Sequence, residues 1–238
     1  MFSNFNLHNQ SLEDLPNKAK LLINTLNAYS YNVALHNPVF EEALLASDVL
    51  LPDGVSVVWA EAFLNKRVIK KIAGADIFKH EMRRLNVVSG SCFFLGSSKE
   101  VLVKIIQTAA IEYPNVKIAT YSPPFRPQFT IQETQKMLDT VNSFGPEVLF
   151  LGMTAPKQEI WAHQNFKKIQ AKRVISIGAV FDFYAKTVKR APKWMIFLGL
   201  EWLYRLLKEP KRMWRRYLIG NVKFLVEIFR TKIITKNK

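Results

Sequence analysis

The chain has 238 residues, 49% of them apolar, and a single cysteine. It is long enough to bury a full core and too apolar to be disordered, and the lone Cys92 excludes an internal disulfide. Residues 186–238 carry 15 Lys/Arg against 3 acidic side chains, a net of +12 out of a whole-chain charge of +15, so this end suits an anionic partner: lipid head groups, phosphates or nucleic acid.

Taken in order, the elements alternate. Residues 21–27 read as a strand ending in Thr25 and Asn27, followed by a helical stretch through 41–45. A short strand at 48–51 runs into Pro52-Asp53-Gly54, which opens a helix over 55–64. Gly74-Ala75-Asp76 precedes a helical run to Leu85. Strand 92–95 ends at Gly96 and leads to a helix over 99–112; strand 116–121 meets the loop Ser122-Pro-Pro-Phe125, stiffened by its two prolines. A helix spans 130–141. Cys92 sits in an apolar run, where a buried inert thiol is expected. The first ten residues lack the basic and apolar regions of a signal peptide, and no run of 18 apolar residues predicts a membrane-spanning helix.

The stretch 147–161 is the most informative. An apolar run, Val148 to Leu151, has buried-strand length and is bounded by Pro146 and Gly152. Pro156 suits the first position of a helix, which puts Lys157, Gln158 and Glu159 in the first turn. A strand, a glycine turn and a helix N-terminus aimed beyond the strand make the usual ligand position of an open α/β sheet, and one that favours anions. An ordinary strand–loop–helix joint accounts for the same residues. Arg173 to Ile177 is the last strand and ends in Gly178-Ala-Val-Phe181-Asp182. The alternation implies a Rossmann-like α/β fold, a mainly parallel sheet flanked by helices.

Beyond Lys186 the character changes. Residues 193–208 read as one aromatic-rich helix and 210–230 as a second, with Arg212, Arg215 and Arg216 on one face and Met213, Tyr217, Phe224 and Ile228 on another. The division expected is an α/β core over 1–187 and a basic amphipathic helical appendage over 188–238. Such helices lie on anionic membranes; packing of the apolar stripe on the core is the alternative. No helix-turn-helix, zinc-finger or RNA-recognition signature points to nucleic acid.

There is no G-x-G-x-x-G, no P-loop, no metal-ligand spacing among four histidines and one cysteine, and no Asp-x-Asp pair. No cofactor and no metal are expected. Phosphate chemistry here would fall to Arg, Lys and backbone N–H groups. The polar residues at strand ends are Thr25, Asn27, Asp53, Asp76, Gln158, Glu159 and Asp182, which a parallel sheet gathers on one rim. Asp53, directed by its flanking Pro and Gly, is the best general-base candidate; taken by itself, a turn or helix-capping role is the commoner one for an aspartate in Pro-Asp-Gly.

At these residues the chain resembles the WecG/TagA/CpsF glycosyltransferases, glycosyltransferase family 26. The resemblance rests on Thr25-Leu-Asn27, Leu51-Pro-Asp53-Gly54, Gly74-Ala-Asp76, Phe94-Leu-Gly96, Ser122-Pro-Pro-Phe125 and Gly152-x-x-x-Pro156-Lys-Gln-Glu159. It continues through Gly178-Ala-Val-Phe-Asp182, Arg190-Ala-Pro192, Gly199-Leu-Glu-Trp-Leu-Tyr-Arg205 and Glu209-Pro-x-Arg212-x-x-x-Arg216-Tyr217. It covers nearly the whole chain.

The resemblance implies an inverting, metal-independent transfer of a sugar from a UDP-sugar to an undecaprenyl-diphosphate-linked saccharide. The enzyme would be peripheral, at the cytoplasmic face of the bacterial inner membrane, in cell-surface polysaccharide synthesis. It implies Asp53 as the base; Thr25, Asn27, Asp76, Gly152, Lys157, Gln158, Glu159, Gly178, Phe181 and Asp182 around the substrates; and Arg190, Arg205, Arg212 and Arg216 on the diphosphate of donor or lipid carrier. The Ser-Pro-Pro-Phe loop is more similar to capsule and exopolysaccharide members. Two positions depart from the pattern: Ala75 where many members have Thr, and Lys186 where many have Gly. Donor sugar, acceptor saccharide and a homo-oligomeric state are left open. The competing class is a non-catalytic basic protein that binds membranes or nucleic acid.

Overall fold

The computed structural model describes residues 2–236. Its centre is a six-stranded, all-parallel sheet, with β1 (Leu21–Leu26), β2 (Val49–Pro52), β3 (Ser91–Gly96), β4 (Lys117–Tyr121), β5 (Val148–Gly152) and β6 (Arg173–Ser176) in the order β2-β1-β6-β5-β3-β4. The inner strands are buried along most of their length, as expected of a sheet covered on both faces. Residues of alternate parity feed two cores. Leu21, Ile23, Cys92, Phe94, Val148, Phe150 and Ile175 meet the helices α4 (Gly74–Val87), α5 (Lys99–Glu112) and α8 (Val180–Tyr184) on one face. Leu22, Phe93, Leu95, Leu149, Leu151 and Val174 meet α6 (Ile131–Phe144) and α7 (Lys157–Asn165) on the other. On that second face, β1 and β2 are covered by α1 (Ala28–Ala34), α2 (Pro38–Leu45) and α3 (Val55–Asn65).

Local chemistry sets the helix starts. Asn27 accepts from the Ser30 N–H at 3.0 Å while the Ser30 hydroxyl accepts from the Asn27 N–H at 2.8 Å, a reciprocal cap for α1. Asn37 and Pro38 start α2, and Thr130 with Glu133 starts α6. The expected helical stretch after β1 is thus two helices, because Pro38 requires a new start.

The C-terminal segment departs from expectation in two ways. Residues 193–208 form two short helices, α9 (Lys193–Phe197) and α10 (Glu201–Lys208), since Gly199 between them adopts φ +73° and presses on Val55. A Cβ on Gly199 would stand 2.4 Å from Val55 Cγ2, so a bulkier residue would lift this segment from α3. The second helix is α11 (Pro210–Trp214), a π-helical turn (Arg215–Ile219) and α12 (Gly220–Lys236). Its apolar stripe turns inward. Phe224 and Ile228 are fully buried with Phe2, Phe5 and Tyr31, and Phe224 lies edge-on to Tyr31 at 5.3 Å. Lys232 Nζ caps the end of α3, donating to Phe63 O at 2.8 Å. The amphipathic helix is therefore docked on the α/β unit rather than free of it. Among the described residues, no helix is long and apolar enough to cross a membrane.

Candidate active site

β1 passes into α1 on one face of the sheet, while its neighbour β6 passes into α8 on the other. Adjacent strands that send their chains to opposite faces leave a crevice beyond their carboxyl ends. A cleft of about 1780 Å³ opens there, and the C-terminal helices form its far wall. The cleft brings together Thr25, Asn27, Asp53, Gly152, Gln158, Glu159, Gly178 and Asp182 from the sheet side. Arg190, Arg205, Arg212 and Arg216 face them from the other wall.

Asp53 follows β2, and its backbone N–H donates to Leu26 O at 2.8 Å, which ties it to the end of β1. Its carboxylate is not spent on a cap. α3 starts at Gly54 without any side-chain cap, and among the described residues the Asp53 carboxylate has no hydrogen-bond or ion-pair partner. Its pKa is raised to about 6, first by burial and then by the negative charge of Glu201, with Asp76 adding and Lys71 and Arg190 opposing. A carboxyl poised there is ionised at neutral pH yet far more basic than a solvated aspartate.

Gly152 lies where the core approaches the rim: a Cβ there would stand 2.3 Å from the Phe181 ring. Phe181 itself is buried against Phe94, 5.3 Å away, so it shapes the cleft floor from beneath. In the first turn of α7, the Gln158 amide is fixed at both ends. Its Oε1 accepts from the Met153 N–H at 3.1 Å and its Nε2 donates to Glu159 Oε1 at 2.8 Å. Glu159 is 2% exposed, has a second oxygen without a partner among the described residues, and has its pKa pushed up by burial to about 7.

On the far wall, the Arg216 guanidinium lies over the Tyr29 ring at 4.3 Å. Arg190 and Arg205 both face the Phe183 ring, at 5.9 and 5.4 Å. Arg190 pairs with Glu201 through Nε at 3.0 Å and Nη2 at 3.4 Å, and Arg212 pairs with Glu209. The Nε atoms of Arg205 and Arg216 are buried and without a partner among the described residues. Burial raises the pKa of Asp182, while Arg212 and Arg205 pull it back. A wall of guanidinium groups opposite a free carboxylate can hold a polyanion beside a base.

Three residues expected around the substrates do not line the cleft. Asp76 is used at the start of α4, accepting from the Ala73 N–H at 2.8 Å. Lys157 turns away to donate to Arg126 O at 2.9 Å and to lie over Phe129 at 4.7 Å, so it braces the proline-rich loop. Phe181 belongs to the core. Conversely, Tyr29, Lys71, Phe183, Glu201 and Arg215 reach the cleft without having been singled out for it. Glu201 lies inside the Gly199–Arg205 motif, but only the fold shows that it lines the cleft.

The fold is thus a parallel α/β unit with a carboxylate-and-arginine cleft at the carboxyl rim of its sheet. Residues 3–238 match the model of the "Glycosyl transferase WecG/TagA/CpsF family", and the chain belongs to that family of glycosyltransferases. It is 34% identical over 202 residues to an N-acetylglucosaminyldiphosphoundecaprenol N-acetyl-beta-D-mannosaminyltransferase of Bacillus subtilis (strain 168), covering 84% of this chain and 76% of the relative. The protein of the same name from Bacillus spizizenii is 31% identical over 185 residues, covering 78% and 70%.

Proposed function

We propose that the protein transfers an N-acetylmannosamine-type hexose from a UDP-sugar to an undecaprenyl-diphosphate-linked saccharide, in the synthesis of a cell-surface polysaccharide of the capsule or exopolysaccharide kind. The observation that carries the reading is the Asp53 carboxylate, uncommitted among the described residues and facing the arginine wall across one cleft. Asp53 takes the proton of the acceptor hydroxyl as that oxygen attacks the anomeric carbon, and the bond from that carbon to the UDP oxygen breaks with inversion. Charge developing on the leaving phosphate is met by guanidinium and backbone N–H donors, without a bound metal. Thr25, Asn27 and the fixed Gln158 amide orient the sugars. Arg190, Arg205, Arg212 and Arg216 hold the diphosphates.

Residues 188–238 act in this reading as a lid that completes the site and rests on the cytoplasmic face of the membrane. Exposed Trp194, Phe197, Leu198 and Leu207 beside clustered Lys and Arg support that placement. Incubation with UDP-N-acetylmannosamine and a lipid-diphosphate-linked N-acetylglucosamine, in EDTA, should release UDP and form the disaccharide. Failure with this donor, with its uronic acid and with UDP-glucose would overturn the assignment of donor and acceptor.

A further inference from the structure

The Arg190–Glu201 pair lies within the C-terminal segment and ties the loop before α9 to the start of α10 on the cleft wall. Gly199 is seated on Val55, two residues beyond Asp53, and Glu201 begins α10 two residues beyond Gly199. That packing brings the start of α10 to the start of α3. Arg190 then grips the Glu201 carboxylate with two nitrogens, and both side chains are about three-quarters buried on the cleft wall. Glu201 makes no other ion pair among the described residues, so its charge is shared between Arg190 on one side and the Asp53 wall on the other.

Resting on the reading of Asp53 as the base, we infer that Glu201 is a positioning residue for the transfer: held by Arg190 on the cleft wall, it places a second negative charge near Asp53, so that the base works next to a carboxylate rather than next to a bare guanidinium. The electrostatics agree. Of the charges that reach Asp53, Glu201 acts most strongly, ahead of Lys71 (in the loop before α4), Asp76 (α4) and Arg190; Arg216, in the π turn, also interacts with Asp53. Three of these groups are cations. Without Glu201 they would dominate, Asp53 would give up its proton more readily, and it would be a poorer acceptor of the proton from a hydroxyl. Glu201 therefore preserves the basicity of Asp53 inside a pocket that must be cationic to hold diphosphate. The same pair supplies a trigger. A diphosphate oxygen that takes the Arg190 guanidinium leaves Glu201 uncompensated beside Asp53, which strengthens the base when substrate is present.

The test is the pH dependence of kcat/KM for the full-length protein, with Asp53→Asn as reference. The wild type should lose activity as the pH falls through about 6. Glu201→Gln keeps an oxygen for Arg190 and removes the charge; its acidic limb should move down by about 1 pH unit, with kcat lowered several-fold. Glu201→Asp should return the limb towards the wild-type position. Arg190→Gln, which removes the opposing cation, should move it up. A limb that stays at the wild-type pH in Glu201→Gln overturns the inference while leaving Asp53 as base, whatever Arg190→Gln does. A limb that persists in Asp53→Asn overturns both. If Glu201→Gln does not fold, Glu201→Ala takes its place: a limb moved down supports the inference, and an unmoved or raised limb overturns it.

Discussion

Arg216, in the π-helical turn, lies 4.3 Å from the centre of the Tyr29 ring, in the first turn after β1. The contact joins the last segment of the chain to the first strand–helix joint and directs a mostly buried guanidinium into the cleft. A desolvated cation over an aromatic face is worth about 2 kcal/mol. Tyr29→Leu should therefore raise KM for the lipid-diphosphate acceptor by about 10-fold with a smaller change in kcat, and Tyr29→Phe should be nearly silent. Equal losses in both variants would mean that the hydroxyl, not the ring, matters.

Asp53→Asn should lower turnover by at least about 100-fold. Because Asp53 bonds to no other side chain among the described residues, folding should be unaffected. Circular dichroism and a melting curve beside the transfer assay check both halves. Near-wild-type turnover would remove Asp53 from the chemistry.

Glu159 is a buried carboxyl whose folded pKa, about 7, exceeds its ordinary value of 4.5 because of burial. A raised carboxyl pKa favours the folded state below the unfolded pKa, and that advantage is lost as the pH rises through the folded pKa. Stability should thus fall between about pH 5 and 8, by on the order of 3 kcal/mol. Glu159→Gln keeps the acceptor for Gln158 Nε2 and should flatten this slope in urea titrations at the two pH values. An unchanged slope would show that Glu159 ionises at no cost in the fold.

Lys186 has φ +56°, a left-handed conformation, at the position where the family resemblance expects glycine. A side chain there costs about 1 kcal/mol, partly offset by the greater flexibility of glycine when unfolded. Lys186→Gly should raise Tm by about 1–2 °C without shifting the loop that carries Arg190. A lower Tm would mean that the lysine side chain stabilises the loop by more than its backbone strain.

Phe197 and Leu207 are 89% and 70% exposed on the basic C-terminal segment. Phe197→Glu and Leu207→Glu should weaken binding to anionic vesicles several-fold and leave Tm within a degree or two. Phe224→Ala, by contrast, opens the core shared by α12, Phe2 and Tyr31 and should cost about 3–5 kcal/mol. Vesicle binding unaffected by both glutamates would place the membrane-facing surface elsewhere.

Much of this was legible from the residues in order. Strand and helix alternation, the glycine turn after β5, the Pro-Asp-Gly turn and the basic C-terminal charge each depend on neighbours in the chain, where periodicity and turn chemistry act. The family motifs sharpened the same positions. What failed to be read was mostly set by partners far away in sequence. Lys157 sits where a ligand-binding residue would, yet its side chain serves Arg126, 31 residues back; Asp76 is the local exception, spent on capping α4 through the Ala73 N–H. The single helix expected over 193–208 is two, because Gly199 must turn to meet Val55.

The sequence by itself determined a parallel α/β sheet, its carboxyl rim and a cationic tail, since these follow from local pattern and composition. Only the tertiary structure decided that the tail's apolar stripe is sealed against Phe2 and Tyr31, and that its arginines therefore face Asp53. It also brought Glu201, 148 positions beyond Asp53 in the chain, into the same cleft, where charges act through space and burial removes the water that would otherwise screen them.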